Sequence, residues 1–492
     1  MADARVVVHL EEAVGAISPL LYGHFVEHLG RCVEEGIWVG EDSQIANESG
    51  IRSQTVEALK AIGAPVIRWP GGCFADDYHW EDGVGPRERR PRRVNLWWGN
   101  EDSNAFGTDE FVRFCQLAGA EPYLCVNVGS GTPLEAKSWM EYCNYDGDTH
   151  YTQLRRANGN AAPFEVKWWA VGNENWGCGG NFEPEEYAAA YRRFATYLRQ
   201  LGKRCQLVAC GHNTPDWNLR FLQGLRGHWD LVDHLSIHRY FNGGHETEFT
   251  ETQYYALLAE CMRLEDDLRE ARAALDLVVR ARKRIGVIVD EWGVWHPQAH
   301  VAGGHVQENT LRDAVAAATV LDLFNRWCDV VTMANLAQTV NVLQSVIRTE
   351  GEAFWVTPTY HVFDLYRAHA GKIGVRAEVD GDRMAVKRSD GSSYDLPLVS
   401  ASASVAAGRR QVVVSLVNRS LDSDVECRVR LEGGAAVAGR ARRLWAEAAN
   451  AHNSAEEPNA VAPAKAASAA KGSDWTEALP AHSVTVVKIA LG

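Results

Sequence analysis

The chain has 492 residues, 46% hydrophobic and 23% charged, so it can bury a large core without disulfides or structural metal, and disorder as the main state is excluded. A formal charge of −14 repels phosphate backbones and anionic lipid, which argues against nucleic acid or membrane as partner. There is no export signal, no apolar run of about 18 residues and no CxxC pair, and the eleven cysteines suit a reducing cytoplasm better than a disulfide framework, so the expected location is cytoplasmic.

In chain order, a strand-like run at 5–10 comes first. Eight short β-branched or apolar runs follow, at 20–25, 64–69, 122–126, 167–171, 206–211, 234–238, 286–290 and 330–335. Amphipathic stretches at 53–62, 108–117, 184–201, 251–282 and 311–327 alternate with them. Eight strands alternating with helices predict a (β/α)8 TIM barrel over residues 15–370. The alternation stops near residue 370, and strand-like runs at 384–388, 411–418, 425–431, 441–444 and 483–489 carry no helical period between them. They predict a C-terminal antiparallel β-sandwich, jelly-roll-like, over 371–492, which the N-terminal strand within 1–14 joins. The Ala/Pro/Ser-biased stretch 455–473 reads as a long loop, and the arginine-rich run 87–93 as a solvated loop paired to carboxylates.

In a barrel of this kind the carboxyl ends of the strands build the active site. The first strand leads to Glu27, the second to Arg68, the fourth to Asn173 and Glu174, the sixth to His238 and Tyr240, the seventh to Glu291, and the eighth to Gln338. Strands 4 and 7 thus each deliver a glutamate to one mouth. Singly, either could be a salt-bridged residue at a strand end. As a pair they are the minimum equipment for glycoside hydrolysis, one protonated to release the leaving oxygen and one ionised to attack or to activate water. A separation of about 5 Å permits a covalent intermediate, whereas about 6.5–9.5 Å leaves room for water. Several of the seventeen tryptophans sit in polar turns, which hints at a carbohydrate or aromatic ligand. His24, His28, His238 and His296 lack metal-ligand spacing and read as hydrogen-bonding and packing residues. No metal is expected, and no glycine-rich loop supports a nucleotide cofactor.

The segments YGHFVEHLGR (22–31), RWPGGCFADDYHWEDGVGP (68–86), SNAFGTDEF (103–111), WWAVGNENWGCGG (168–180), DHLSIHRYF (233–241), VDEWGVWH (289–296), MANLAQTVNVLQ (333–344) and AHNSAEEPNAV (451–461) resemble family 51 glycoside hydrolases, the α-L-arabinofuranosidases, over essentially the whole chain. The resemblance implies an exo-acting, retaining double displacement on arabinofuranose-containing oligosaccharides, with Glu174 as acid/base and Glu291 as nucleophile. It further implies that Asn173 binds the 2-hydroxyl, that Glu27 and Arg68 hold furanose hydroxyls, that Tyr240 orients the nucleophile and that Gln338 contacts the sugar. Trp98 and Trp295 match residues lining the furanose and leaving-group sides. A homo-oligomer, commonly a hexamer, is a further implication. Cys73 stands where many members carry Asn after the Pro-Gly-Gly turn, and a thiol cannot replace an amide's hydrogen bonds. It is taken as a substrate-binding position, and Cys73 and Cys178 as two unpaired thiols. The same machinery acting on a β-xyloside, a galactofuranoside or a β-glucan is the alternative within enzymes. A metal-dependent barrel isomerase and a catalytically dead sugar-binding protein are the readings from other classes.

Overall fold

The computed structural model describes residues 2–301 and 303–492. Eight parallel strands close into a barrel: Gly23–Phe25, Val66–Trp69, Glu121–Val126, Trp168–Val171, Gln206–Cys210, His234–Phe241, Gly286–Val294 and Val331–Ala337, numbered here as barrel strands 1 to 8. Being covered on both faces, they read as near-continuous apolar runs; strand 4, Trp-Trp-Ala-Val, is buried throughout. Val66, Tyr123, Cys125, Trp168, Ala170, Val208, Ile288 and Met333 pack together as one core cluster of side chains drawn from the barrel strands.

The predicted first strand is half helix, because Pro19 starts a 3-10 turn, Pro19–Tyr22, capped by the Ser18 hydroxyl at 3.2 Å, and leaves only Gly23–Phe25 to pair. The predicted helix at 251–282 breaks at Met262 into Glu251–Cys261, which packs against the helix Leu311–Arg326, and Arg263–Val278, which packs against the helix Pro215–Gly224. Helices Pro133–Asn144, Pro215–Gly224 and Pro358–Tyr366 add to those read from periodicity. Each follows a Thr-Pro pair that sets its first turn.

Beyond the barrel, nine strands form one sheet that wraps around its own core of Val6, Val8, Val412, Val414, Val429 and Val487. Ala2–Ala16 lies inside this sheet, antiparallel to Ile373–Gly381 but parallel to Val425–Glu432, so the sandwich is not wholly antiparallel. Val425–Glu432 alternates buried and exposed residues along its length, the pattern of a strand with one dry face. Arg383–Lys387 stays out of the sheet and pairs only with Ser393–Pro397 as a separate hairpin. Within 455–473 a short strand, Ala464–Ala466, joins the sheet edge, and Val461 is pinned by its N–H donating to Asn453 Oδ1 at 2.7 Å.

The helix Leu311–Arg326 is buried almost all round, between the barrel and the sheet. Two of its polar side chains are matched across that contact: Ser415 Oγ donates to Asp322 Oδ1 at 2.5 Å and Asn325 Nδ2 to Ser402 Oγ at 3.0 Å. Four arginines of the run 87–93 are paired, Arg87 and Arg90 with Glu110, Arg92 with Glu101 and Arg93 with Asp82. Among the described residues no helix is long and apolar enough to cross a membrane.

Candidate active site

The carboxyl ends of the barrel strands converge on three glutamates. Glu291 lies within strand 7, its side chain 6% exposed, and Glu174 in the loop after strand 4, its side chain 19% exposed. One oxygen of each lies within 4.8 Å of the other and of a His238 nitrogen. Glu174 sits at φ +41°, a left-handed conformation that costs a non-glycine residue energy and marks a position held by its surroundings. Those surroundings are two N–H groups, Gly177 at 2.7 Å and Gly179 at 3.2 Å, donating to the Glu174 carbonyl. The preceding residue is tied by the Asn173 N–H donating to Asp76 Oδ2 at 2.8 Å.

Both oxygens of Glu291 are fixed. Arg68 Nη1 donates to Oε1 at 2.6 Å and the Tyr240 hydroxyl to Oε2 at 2.8 Å. The other guanidinium nitrogen of Arg68 donates to Asn173 Oδ1 at 2.6 Å, so the carboxamide is oriented with its N–H2 toward Cys178 Sγ at 3.9 Å. Beneath this layer, Asp290 accepts from Ser236 Oγ at 2.6 Å and from the Tyr123 hydroxyl at 2.8 Å. Burial alone would raise the Asp290 carboxyl, but Arg68 and His238 hold it well below the usual carboxylate range.

His238 bridges the two layers, Nδ1–H donating to Glu174 Oε1 at 2.8 Å and Nε2–H to Asp290 Oδ1 at 3.2 Å. Burial disfavours its charge, yet the charge on Glu291 and the bonds to Asp290 and Glu174 outweigh it and raise its pKa to about 10. Sequence reasoning placed His238 at a strand end but gave it only packing and hydrogen-bonding work; Asp76, Tyr123, Ser236 and Asp290 it did not single out.

Glu27 and Arg68 have separate partners. Glu27 Oε1 accepts from the Phe74 N–H at 3.1 Å and Trp98 Nε1 at 3.2 Å, and Oε2 accepts from Gln338 Nε2 at 3.0 Å. Burial, and then the charge on Glu291, raise its pKa to about 7. Gln338 Oε1 is buried with no partner among the described residues, an acceptor available to a hydroxyl. The Pro-Gly-Gly turn needs glycine for close approach: a Cβ on Gly71 would stand 2.7 Å from Glu27 Cγ. Trp295 packs edge-on against Tyr240 at 5.1 Å. Trp69 and Trp292, also read from polar turns, are core residues instead.

One expectation is overturned. Cys73 and Cys178 are not free thiols but a disulfide, with Cα atoms 5.6 Å apart across 105 residues of sequence. The turn after strand 2 and the loop after strand 4 lean over the same mouth, and that brings the two side chains within bonding reach. The remaining nine cysteines are buried and free. Cys178 Sγ lies 3.7 Å from Glu174 Oε2, so the bridge walls the pocket and offers substrate no thiol hydrogen. The sulfurs of Cys73 and Cys178 and a Glu174 oxygen lie within metal-ligand range of one another, but the sulfurs are spent on each other.

Two family models match the chain, described as the α-L-arabinofuranosidase 1 domain over residues 58–256 and the α-L-arabinofuranosidase C-terminal domain over 290–483. An intracellular exo-α-L-arabinofuranosidase of Bacteroides ovatus is 39% identical over 99% of this chain and 96% of its own. The GH51 arabinofuranosidase structure from Xanthomonas axonopodis pv. citri superposes with a TM-score of 0.94 at 35% identity, covering 99% of this chain and 100% of that one. An α-L-arabinofuranosidase from Thermotoga maritima, solved as an arabinose complex, does so with a TM-score of 0.90 at 34% identity, covering all of both chains.

Proposed function

This chain belongs to the family 51 α-L-arabinofuranosidases, and we propose that it is an exo-acting, retaining enzyme that releases terminal α-L-arabinofuranosyl residues from short arabino-oligosaccharides, with Glu291 as nucleophile and Glu174 as acid/base. The observation that carries this reading is the approach of one Glu174 oxygen to within 4.8 Å of one Glu291 oxygen, which suits direct attack and leaves too little space for an intervening water.

In the first half-reaction Glu291 attacks the anomeric carbon while Glu174 gives its proton to the leaving oxygen. Arg68 and Tyr240 hold the attacking carboxylate in line. Asn173, its carbonyl already taken by Arg68, has its amide N–H groups left for the sugar 2-hydroxyl, where the bond strengthens in the transition state. Glu27 and Gln338 hold further hydroxyls, and Trp98, Trp295 and the Cys73–Cys178 bridge shape the wall. In the second half-reaction Glu174 takes a proton from water, which hydrolyses the arabinosyl ester on Glu291. The greater exposure of Glu174 fits the group that must meet both leaving group and water. No cofactor enters this scheme. The family resemblance also supports a homo-oligomer, hexameric, and a role in arabinan breakdown, and the intracellular name of the Bacteroides ovatus relative supports a cytoplasmic location.

Initial rates on aryl α-L-arabinofuranoside, β-D-xylopyranoside, β-D-galactofuranoside and β-D-glucopyranoside, with NMR identification of the first-formed anomer, test the proposal. Preference for the arabinofuranoside with retention is expected. Preference for another sugar would mean a re-specified pocket, and inversion would sink the covalent intermediate.

A further inference from the structure

A strap formed by residues 303–306 crosses the mouth of the barrel beside the furanose pocket. His305 is its centre. Its ring packs edge-on against Trp98 at 5.1 Å and against Trp295 at 5.3 Å, and it meets His300, itself stacked on Trp295, at 5.6 Å. The two tryptophans belong to opposite sides of the site, since Trp98 donates to Glu27 and Trp295 packs on Tyr240, the partner of Glu291. His305 therefore joins the hydroxyl-binding side to the nucleophile side.

The strap is anchored by its backbone. The Leu343 N–H donates to the His305 carbonyl at 2.9 Å, and Gly304 packs so closely on Gly30 that a Cβ on Gly30 would stand 2.4 Å from the Gly304 carbonyl oxygen. His305 itself is held at φ +53°, a left-handed conformation unfavourable for a non-glycine residue. Gly303, Gly304 and Val306 of the strap, with Trp98, Arg31 and Asn100, line a cleft of about 550 Å³ that opens outward from Trp98. In the Trp98–His305–Trp295 cluster beside this cleft, two polar atoms, His305 Nδ1 and Trp295 Nε1, are buried with no hydrogen-bond partner among the described residues. Buried polar atoms are nearly always paired, so an unmatched couple next to a cleft calls for a ligand that supplies the bond.

We propose that His305 is a specificity-determining residue for the leaving group: its Nδ1 hydrogen-bonds a hydroxyl of the sugar being released. The ligand class is a saccharide leaving group, one that carries hydroxyls where an aryl group carries none. This rests on the arabinofuranosidase reading. It extends that reading from the sugar that is transferred to the sugar that departs.

The test compares His305→Ala, His305→Asn and His305→Phe with wild type on an α-1,5-linked arabinofuranosyl disaccharide and on an aryl α-L-arabinofuranoside, with inhibition by free L-arabinose as the control for the furanose pocket. Asparagine tolerates the left-handed backbone and keeps a polar atom near the Nδ1 position; phenylalanine keeps the ring alone. His305→Ala is expected to raise KM on the disaccharide about tenfold, the loss of one buried hydrogen bond, with kcat, the aryl KM and arabinose inhibition within about twofold. His305→Asn should restore most of the disaccharide KM and His305→Phe should not. An unchanged disaccharide KM, an equal rise on both substrates, weakened arabinose inhibition, or rescue by phenylalanine but not asparagine would each overturn the assignment. A wild-type enzyme that cleaves neither arabinofuranoside would instead overturn the reading on which it rests, and the assignment with it.

Discussion

The imidazole of His238 joins Glu174 to Asp290, its Nδ1 2.8 Å from Glu174 Oε1 and its Nε2 3.2 Å from Asp290 Oδ1. With its pKa raised to about 10, the ring stays charged through neutral pH and places a fixed positive charge beside the proposed acid/base. In His238→Gln kcat is expected to fall because Glu174 loses its orienting bond, and to fall further on an unactivated arabinoside, whose leaving group needs protonation, than on an aryl glycoside. Initial rates on the two substrates check this. An unchanged kcat on the unactivated arabinoside would show that the His238 bond does not orient the acid.

The two glutamates should fail differently. Glu291→Ala removes the nucleophile, and loss of turnover on every substrate is expected with the fold intact by circular dichroism. Glu174→Ala should cost about 10²- to 10⁴-fold on poor leaving groups and much less on an aryl glycoside whose departure needs little protonation. Equal losses on both would remove Glu174 from the acid role.

How much of this was legible beforehand differs from residue to residue. Glu174 and Glu291 could be read because each ends an apolar strand-length run, and a barrel directs such ends to one mouth. The role of Asp290 could not: its partners Tyr123, Ser236, Arg68 and His238 come from three other strands and meet only when the barrel closes. His305 was equally silent, since its neighbours Trp98 and Trp295 lie in separate loops. Of the helices missed, three have Thr-Pro starts that were not weighed against weak periodicity. The disulfide was missed because cysteine count and compartment describe an average chain, whereas pairing depends on two loops meeting.

That disulfide gives a direct expectation. Alkylation of the denatured, unreduced protein should label nine thiols, and all eleven after reduction. Closing a loop of this length stabilises by about 4–5 kcal/mol in the chain-entropy model. Cys73→Ser combined with Cys178→Ser should therefore lower Tm. It should also reduce kcat/KM, because Cys178 no longer buttresses the loop that carries Glu174. Eleven labelled thiols without reduction would show the bridge to be absent in solution.

Buried histidines set an acid-side sensitivity. His24 packs on Phe363 with ring centroids 4.9 Å apart, neither nitrogen has a partner among the described residues, and burial pushes its pKa down to about 3. An unfolded histidine takes a proton below about pH 6.5. The unfolded state thus binds more protons between those values, and stability falls as pH drops through that window by about 1.4 kcal/mol per unit for such a group. Glu27 and Asp76, both raised to about 7 by burial, act in the opposite sense, because they take up protons in the fold before their unfolded counterparts do. His24→Leu removes one acid-sensitive group, so its Tm relative to wild type should rise between pH 7.5 and pH 5. A constant difference would mean that His24 is protonated in the fold.

Gly72 packs closely on two carboxylates of the site. A Cβ there would stand 3.1 Å from Glu291 Oε1 and 3.2 Å from Glu27 Oε1, tighter than an ordinary contact. To admit it, a carboxylate would have to shift by a few tenths of an ångström. Neither is free to do so: Glu291 is held by Arg68 and Tyr240, and Glu27 by Phe74, Trp98 and Gln338. The strain then falls on the alignment of attack, where small misplacements are costly. Gly72→Ala is expected to lower kcat/KM by about tenfold to a hundredfold. Because the intrusion is local, Tm should drop far less than in the cysteine double variant. Unimpaired turnover in Gly72→Ala would show that the carboxylates have slack, and that their fixed geometry is not what the turn's glycine protects.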